Sequence, residues 1–115
     1  MAQGPTVLMN FKELSPDEEV RVTVETRCRE LAKEFHEITR FEFTLTEDRS
    51  GFTAHCHVTG KNTDVSTHAT SSKLAPATDR LLDKVERQLR RAHDKRIFSA
   101  RRDAQRDPPK RKNPS

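Results

Sequence analysis

The chain has 115 residues, 31% of them apolar and 35% charged, and its 22 Lys and Arg outnumber 18 Asp and Glu for a net charge of +4. That length holds one compact domain, and so low an apolar share implies a small core or a stretch that stays disordered. No apolar run approaches the roughly 18 residues a transmembrane helix needs, so no membrane partner is expected.

The N-terminal residues show no basic segment followed by an apolar one, and Cys28 and Cys56 stand far apart in the sequence. Two isolated thiols and no export leader imply a cytoplasmic setting and no structural disulfide. Thr6 to Phe11 is short and β-prone, a first strand. Ser15 then suits the N-cap, Pro16 the first helical position, and Glu18 completes an S-x-x-E capping box. Val20, Val22 and Val24 alternate as in a strand. Val20, Val24, Cys28, Leu31 and Phe35 nevertheless recur at helical spacing, and the longer pattern predicts a helix over about 16–35.

Three strands follow. Phe41, Phe43 and Leu45 alternate with polar residues over Arg40–Glu47, and Phe52, Ala54, Cys56 and Val58 do so over Phe52–Thr59. A more polar strand occupies Asp64–Thr70. Turns at Asp48–Gly51 and Gly60–Asn62 separate them, and period-two alternation predicts one buried and one wet sheet face. A second helix runs from just after Ser71 or Ser72 to about Phe98, with Leu74, Leu81, Val85, Leu89 and Ala92 as its apolar stripe. The expected fold is α+β, in the order β-α-β-β-β-α, with a four-stranded sheet and both helices on one face. Residues 1–98 form that domain, and 99–115 read as a disordered basic tail.

Charge is not evenly spread. Residues 1–71 carry 8 Lys and Arg against 12 Asp and Glu, whereas residues 72–115 carry 14 against 6. At about 100° per residue, Lys73, Arg80, Lys84, Arg87, Arg91 and Lys95 fall within about 40° of one line on the second helix. Pairs such as Asp83–Arg87 and Glu86–Arg90 explain part of the pattern but not the alignment of the other cations. A line of cations attracts phosphates through charge and counterion release. The chain has no Trp or Tyr, and most of its Phe suit a core, so stacked single-stranded bases are not the expected ligand. Contacts would go to backbone phosphates and RNA shape.

His55 and His57 share one side of a strand, and His68 can lie beside them on the next. Imidazoles on neighbouring strands can bind zinc. Without a carboxylate fixed nearby, an exposed His-x-His pair reads better as part of a polar open face, and no metal, cofactor or small-molecule substrate is expected. No nucleophile–base pair or glycine-rich phosphate loop marks an enzyme.

The segment Leu81-Leu82-Asp83-Lys84-Val85-Glu86-Arg87-Gln88-Leu89-Arg90-Arg91 resembles the second helix of the ribosome hibernation-promoting factors, also called ribosome-associated inhibitor A or sigma-54 modulation proteins. The likeness runs without gaps from about Phe52 to Arg91 and more loosely over residues 6–98. It implies a non-enzymatic protein on the small ribosomal subunit and its 16S ribosomal RNA, near the A and P sites, that inhibits translation in stress or stationary phase. Lys84, Arg87, Arg90 and Arg91 would then face ribosomal RNA. Arg21, Arg27 and Lys33 occupy first-helix positions that are commonly basic in that family. The chain departs from it at Lys73-Leu74-Ala75-Pro76-Ala77-Thr78, where a Tyr is usual, and in its basic tail. The alternatives are a general basic RNA- or DNA-binding module and a metal-dependent enzyme using His55, His57 and His68.

Overall fold

Alternating buried and exposed side chains along four strands build a single sheet with one dry and one wet face. The computed structural model describes residues 4–106, with side chains through Lys95. The order is β1 (Thr6–Lys12), α1 (Glu18–Glu34), β2 (Ile38–Asp48), β3 (Gly51–Gly60), β4 (Thr63–Ser71) and α2 (Leu74–Arg106). β1 lies parallel to β2, to which α1 connects it, and β2, β3 and β4 form an antiparallel meander. Both helices cover the same face. This is the expected α+β architecture.

Register sorts the side chains. Phe41, Phe43 and Leu45 of β2 stand opposite Val58, Cys56 and Ala54 of β3, and all six are fully buried. Val65 and Ala69 extend the dry face into β4, and Val7, Met9 and Phe11 cover its β1 edge. The helices close the core with Val20, Val24, Cys28, Leu31 and Phe35 from α1 and Leu81, Leu82, Val85 and Leu89 from α2. Of the expected α2 stripe, Leu74 and Ala92 are only half-buried, while Ala77, Thr78 and Leu82 join the core instead. Burying side chains of this size stabilises by roughly 1.5–3 kcal/mol each, which is what holds the two helices on the sheet.

The first helix begins later than the sequence suggested. Asp17, not Ser15, is its N-cap: its backbone is extended and its Oδ1 accepts the Val20 amide at 3.1 Å. A carboxylate at the positive end of the helix dipole serves better than a hydroxyl two residues upstream, and Glu18 and Glu19 add to that effect. Val22, the residue that made a strand look tenable, faces solvent at 52% exposure, while Val20 and Val24 are buried.

The β2–β3 turn rests on Asp48, whose Oδ1 accepts from the Ser50 amide and hydroxyl at 2.9 and 2.7 Å. Those bonds hold its carboxyl below the usual range. Gly51 follows at φ +132°, where a side chain would be strained and a Cβ would lie 2.6 Å from the Ser71 carbonyl oxygen.

The second helix differs at its far end. The domain boundary expected at residues 98 and 99 falls inside α2, whose backbone is helical to Arg106. Ser99–Arg106 contains good helix formers and no glycine or proline, and the first breaker is Pro108. The rest of the expected tail, residues 107–115, lies outside the described residues.

Candidate nucleic-acid interface

The two helices run side by side in the same direction. Arg27 of α1 meets Asp83 and Glu86 of α2 at 3.2 and 2.8 Å, and Glu34, two turns on, meets Arg90. Arg90 also reaches Glu86 at 2.9 Å, which closes a ladder across the seam. Hydrogen bonds from Arg27 and then Arg90 hold the Glu86 carboxyl below its ordinary range. Burial works against the charge on Arg27, but its bonds to Glu86 and Asp83 prevail and its pKa is raised.

This ladder accounts for the acidic side of α2. Asp83 and Glu86 turn toward α1, and the aligned cations occupy the flank turned toward β4. Arg80 Nη1 donates to the Thr70 carbonyl at 3.1 Å and Lys84 Nζ to the His68 carbonyl at 2.9 Å. β4 is an edge strand, so these two side chains blunt an edge that could otherwise pair with another chain. Further along the same flank, Arg87, Arg91 and Lys95 are exposed. Among the described residues no ion pair involves them or Lys73. Lys73 precedes α2, whose first turn has no acidic residue, and its carbonyl accepts the Ala77 amide. A cation is unfavourable at the positive end of a helix dipole, so helix stability does not explain it.

The ten cations picked from the sequence therefore fall in four places. Arg80, Lys84, Arg87, Arg91 and Lys95 share the α2 flank, and Lys73 stands just before its first residue. Arg27 and Arg90 lie in the seam, bound to carboxylates. Arg21 sits on the outer side of α1, 3.5 Å from Glu18 and over the Phe11 ring at 5.8 Å. Lys33 lies farther along α1 beside a groove that Arg29, His36, Ala32 and Ile38 also line. Arg29 and His36 were not among the ten. Their spacing with Lys33, at i, i+4 and i+7, was readable as one helical line.

The wet face of the sheet carries the histidines. His55 and His68 are cross-strand partners, and His57 is two residues along β3. His57 Nε2 lies 2.7 Å from Asp64 Oδ1, and His55 Nε2 lies 3.1 Å from Ser66 Oγ. Each of these two rings thus has a neighbour on β4. Among the described residues no three His, Cys, Asp or Glu side chains group so as to hold a metal ion. Cys28 and Cys56 are fully buried and free.

Comparison with known proteins decides the affiliation. The family described as sigma 54 modulation protein / S30EA ribosomal protein matches residues 7–97. The chain belongs to this family. Two solved structures share the S30EA-family fold. The Thermus thermophilus Protein Y N-terminal domain is 19% identical, with a TM-score of 0.65 over 75% of this chain and 97% of that one. A ribosomal subunit interface protein from Coxiella burnetii is 16% identical, with a TM-score of 0.69 over 77% of this chain and 98% of that one. No curated protein sequence matches at a significant level. The S30EA-family match spans β1 through most of α2, so it includes the cationic flank and the seam.

Proposed function

We propose that this S30EA-family chain is a non-enzymatic, cytoplasmic ribosome hibernation factor. It binds the 16S ribosomal RNA of the small subunit near the A and P sites and inhibits translation in stress or stationary phase. The observation that carries this reading is the line Arg87–Arg91–Lys95 on the α2 flank of a family member, exposed and without an ion pair among the described residues. Phosphates meet such a line without first breaking an internal ion pair, and release of their counterions supplies the affinity. The line lies on a rigid helix whose other faces are tied to α1 and the sheet, so little side-chain order has to be created on binding. Inhibition follows from occupancy, because a folded domain over the A and P sites leaves no room for transfer RNA. No aromatic platform is needed, since the contacts go to the backbone.

The test is Arg87→Glu with Arg91→Glu, against Glu25→Lys with Glu30→Lys as the opposite charge change on α1. Two lost charge-assisted contacts should weaken cosedimentation with small subunits by about a hundredfold and relieve inhibition of translation in vitro. The α1 control should keep both. Unchanged cosedimentation of the reversed flank would sink the assignment.

A further inference from the structure

At the end of the helix layer where α1 and α2 both begin, the two helices leave a groove of ≈ 570 Å³ between them. Val20, Val22 and Ala75 are its apolar lining. Its acidic lining is Asp17, Glu18, Glu19 and Asp79, and among the described residues no basic side chain lines it. Val22 and Leu8 are the exposed large apolar side chains among the described residues, and Val22 is the more exposed, at 52% against 39%.

Helix stability explains some of this. Asp17 caps α1, Glu18 pairs with Arg21, and the first-turn acids favour the dipole. It does not explain Asp79, which lies beyond the first turn of α2, or a bare valine between carboxylates. Among the described residues no ion pair involves Glu19 or Asp79. The groove repels phosphate. Its chemistry is complementary to a chain that is cationic and carries an aliphatic side chain.

We infer that this groove docks a lysine- and arginine-rich segment of a partner protein. An aliphatic side chain of that segment packs on Val22 and Ala75, and flanking cations meet Glu19 and Asp79. The protein would thus have two faces of opposite sign, the α2 flank for RNA and this groove for protein.

The full-length protein is titrated into fluorescein-labelled KRLKRLK and, separately, KRGKRGK, with anisotropy as the readout. Packing an aliphatic side chain should make the first peptide bind about tenfold more tightly, or about 1.4 kcal/mol. Val22→Ser should remove that preference, and Glu19→Gln with Asp79→Asn should weaken both peptides alike, while small-subunit cosedimentation stays unchanged in each. Neither change touches the core, and a thermal melt of each variant checks the fold. Equal binding of the two peptides would overturn the proposal, as would a Val22→Ser variant that keeps the preference or a Glu19→Gln, Asp79→Asn variant that binds both peptides as tightly as before, because an unspecific acidic surface does not sense leucine. Sedimentation equilibrium addresses the competing occupant. Self-association that Val22→Ser abolishes would put a second copy in the groove and overturn the partner assignment. Because the peptide assay contains no ribosome, its outcome is independent of the RNA-binding reading.

Discussion

The guanidinium of Arg90 on α2 donates to both carboxylate oxygens of Glu34 on α1, and it lies over the Phe35 ring at 5.6 Å. A residue that the second-helix motif offers as an RNA contact is thus part of the joint between the helices. Arg90→Ala should lower the melting temperature, since it removes the Glu34 contact and one partner of Glu86. It should leave the salt dependence of small-subunit binding unchanged. A flattened salt slope with an unchanged melt would mean that Arg90 leaves the seam to meet RNA.

The same joint predicts a pH dependence. Glu86 is held below its ordinary value of 4.5 by hydrogen bonds from Arg27 and Arg90. In acid the unfolded chain therefore binds more protons at this site than the folded one. The contribution is fully present above the ordinary value and is lost as the pH falls through the depressed folded value. Urea midpoints measured from pH 7 down to about 3 should fall more steeply for the native chain than for Glu86→Gln. Parallel curves would show that the ladder adds nothing to stability.

The thiols should be silent in the native state. Burial pushes Cys56 up to about 12 and Cys28 higher still, and both side chains are fully buried. The thiolate is the reactive form, so Ellman's reagent at pH 8 should label neither until denaturant is added, and then both. Rapid labelling in native buffer would mean that α1 lifts from the sheet far more often than its packing implies.

Gly60 closes β3 where the Glu37 carbonyl approaches, and a Cβ there would collide with that oxygen and its carbon. The same carbonyl accepts the Lys61 amide at 2.9 Å, so it cannot simply rotate away. Gly60→Ala should therefore destabilise by about 3 kcal/mol, the upper range for overpacking. A loss within the usual surface range of about 0.5 kcal/mol would mean that the α1–β2 connection yields freely.

How much of this was legible beforehand depended on where the deciding contacts lie. The strands were legible because Phe41-Glu42-Phe43-Thr44-Leu45 has one wet and one dry side, and that pattern is local. The start of α1 was misplaced by two residues because Ser15 and Asp17 are both good caps, and only the carboxylate reaches the Val20 amide. α2 continues past the expected end near Phe98 because Ser99–Arg106, though charged and poor in apolar residues, contains no helix breaker. The cations were the least legible. Helical angles put Lys73, Arg80, Lys84, Arg87, Arg91 and Lys95 on one line; α2 runs unbroken through the last five of them, and Lys73 precedes it. Angles could not say that Arg80 and Lys84 meet β4 carbonyls, because those partners lie outside the helix in the sequence.

That division of the cations makes the sharpest prediction about binding. Arg87 and Arg91 are exposed and unpaired among the described residues, whereas Arg27 has two carboxylate partners. Neutralising a cation that meets phosphate removes one released counterion, worth about 0.9 in the slope of log K against log salt on duplex and about 0.7 on single strands. Arg87→Gln with Arg91→Gln should therefore flatten the slope for small-subunit binding by about 1.4–1.8. The urea midpoint should stay put, since neither side chain is buried or paired. Arg27→Gln should do the reverse: it leaves Asp83 and part of Glu86 uncompensated beside α1, lowers the midpoint, and keeps the slope. Arg80→Gln with Lys84→Gln should fall between, because those side chains lie on the exposed flank and also bond the β4 edge. If Arg27→Gln flattens the slope as much as the Arg87 and Arg91 pair does, the RNA contact runs through the seam. The face assigned to phosphate would then have to move from the β4 side of α2 to the cleft between the helices.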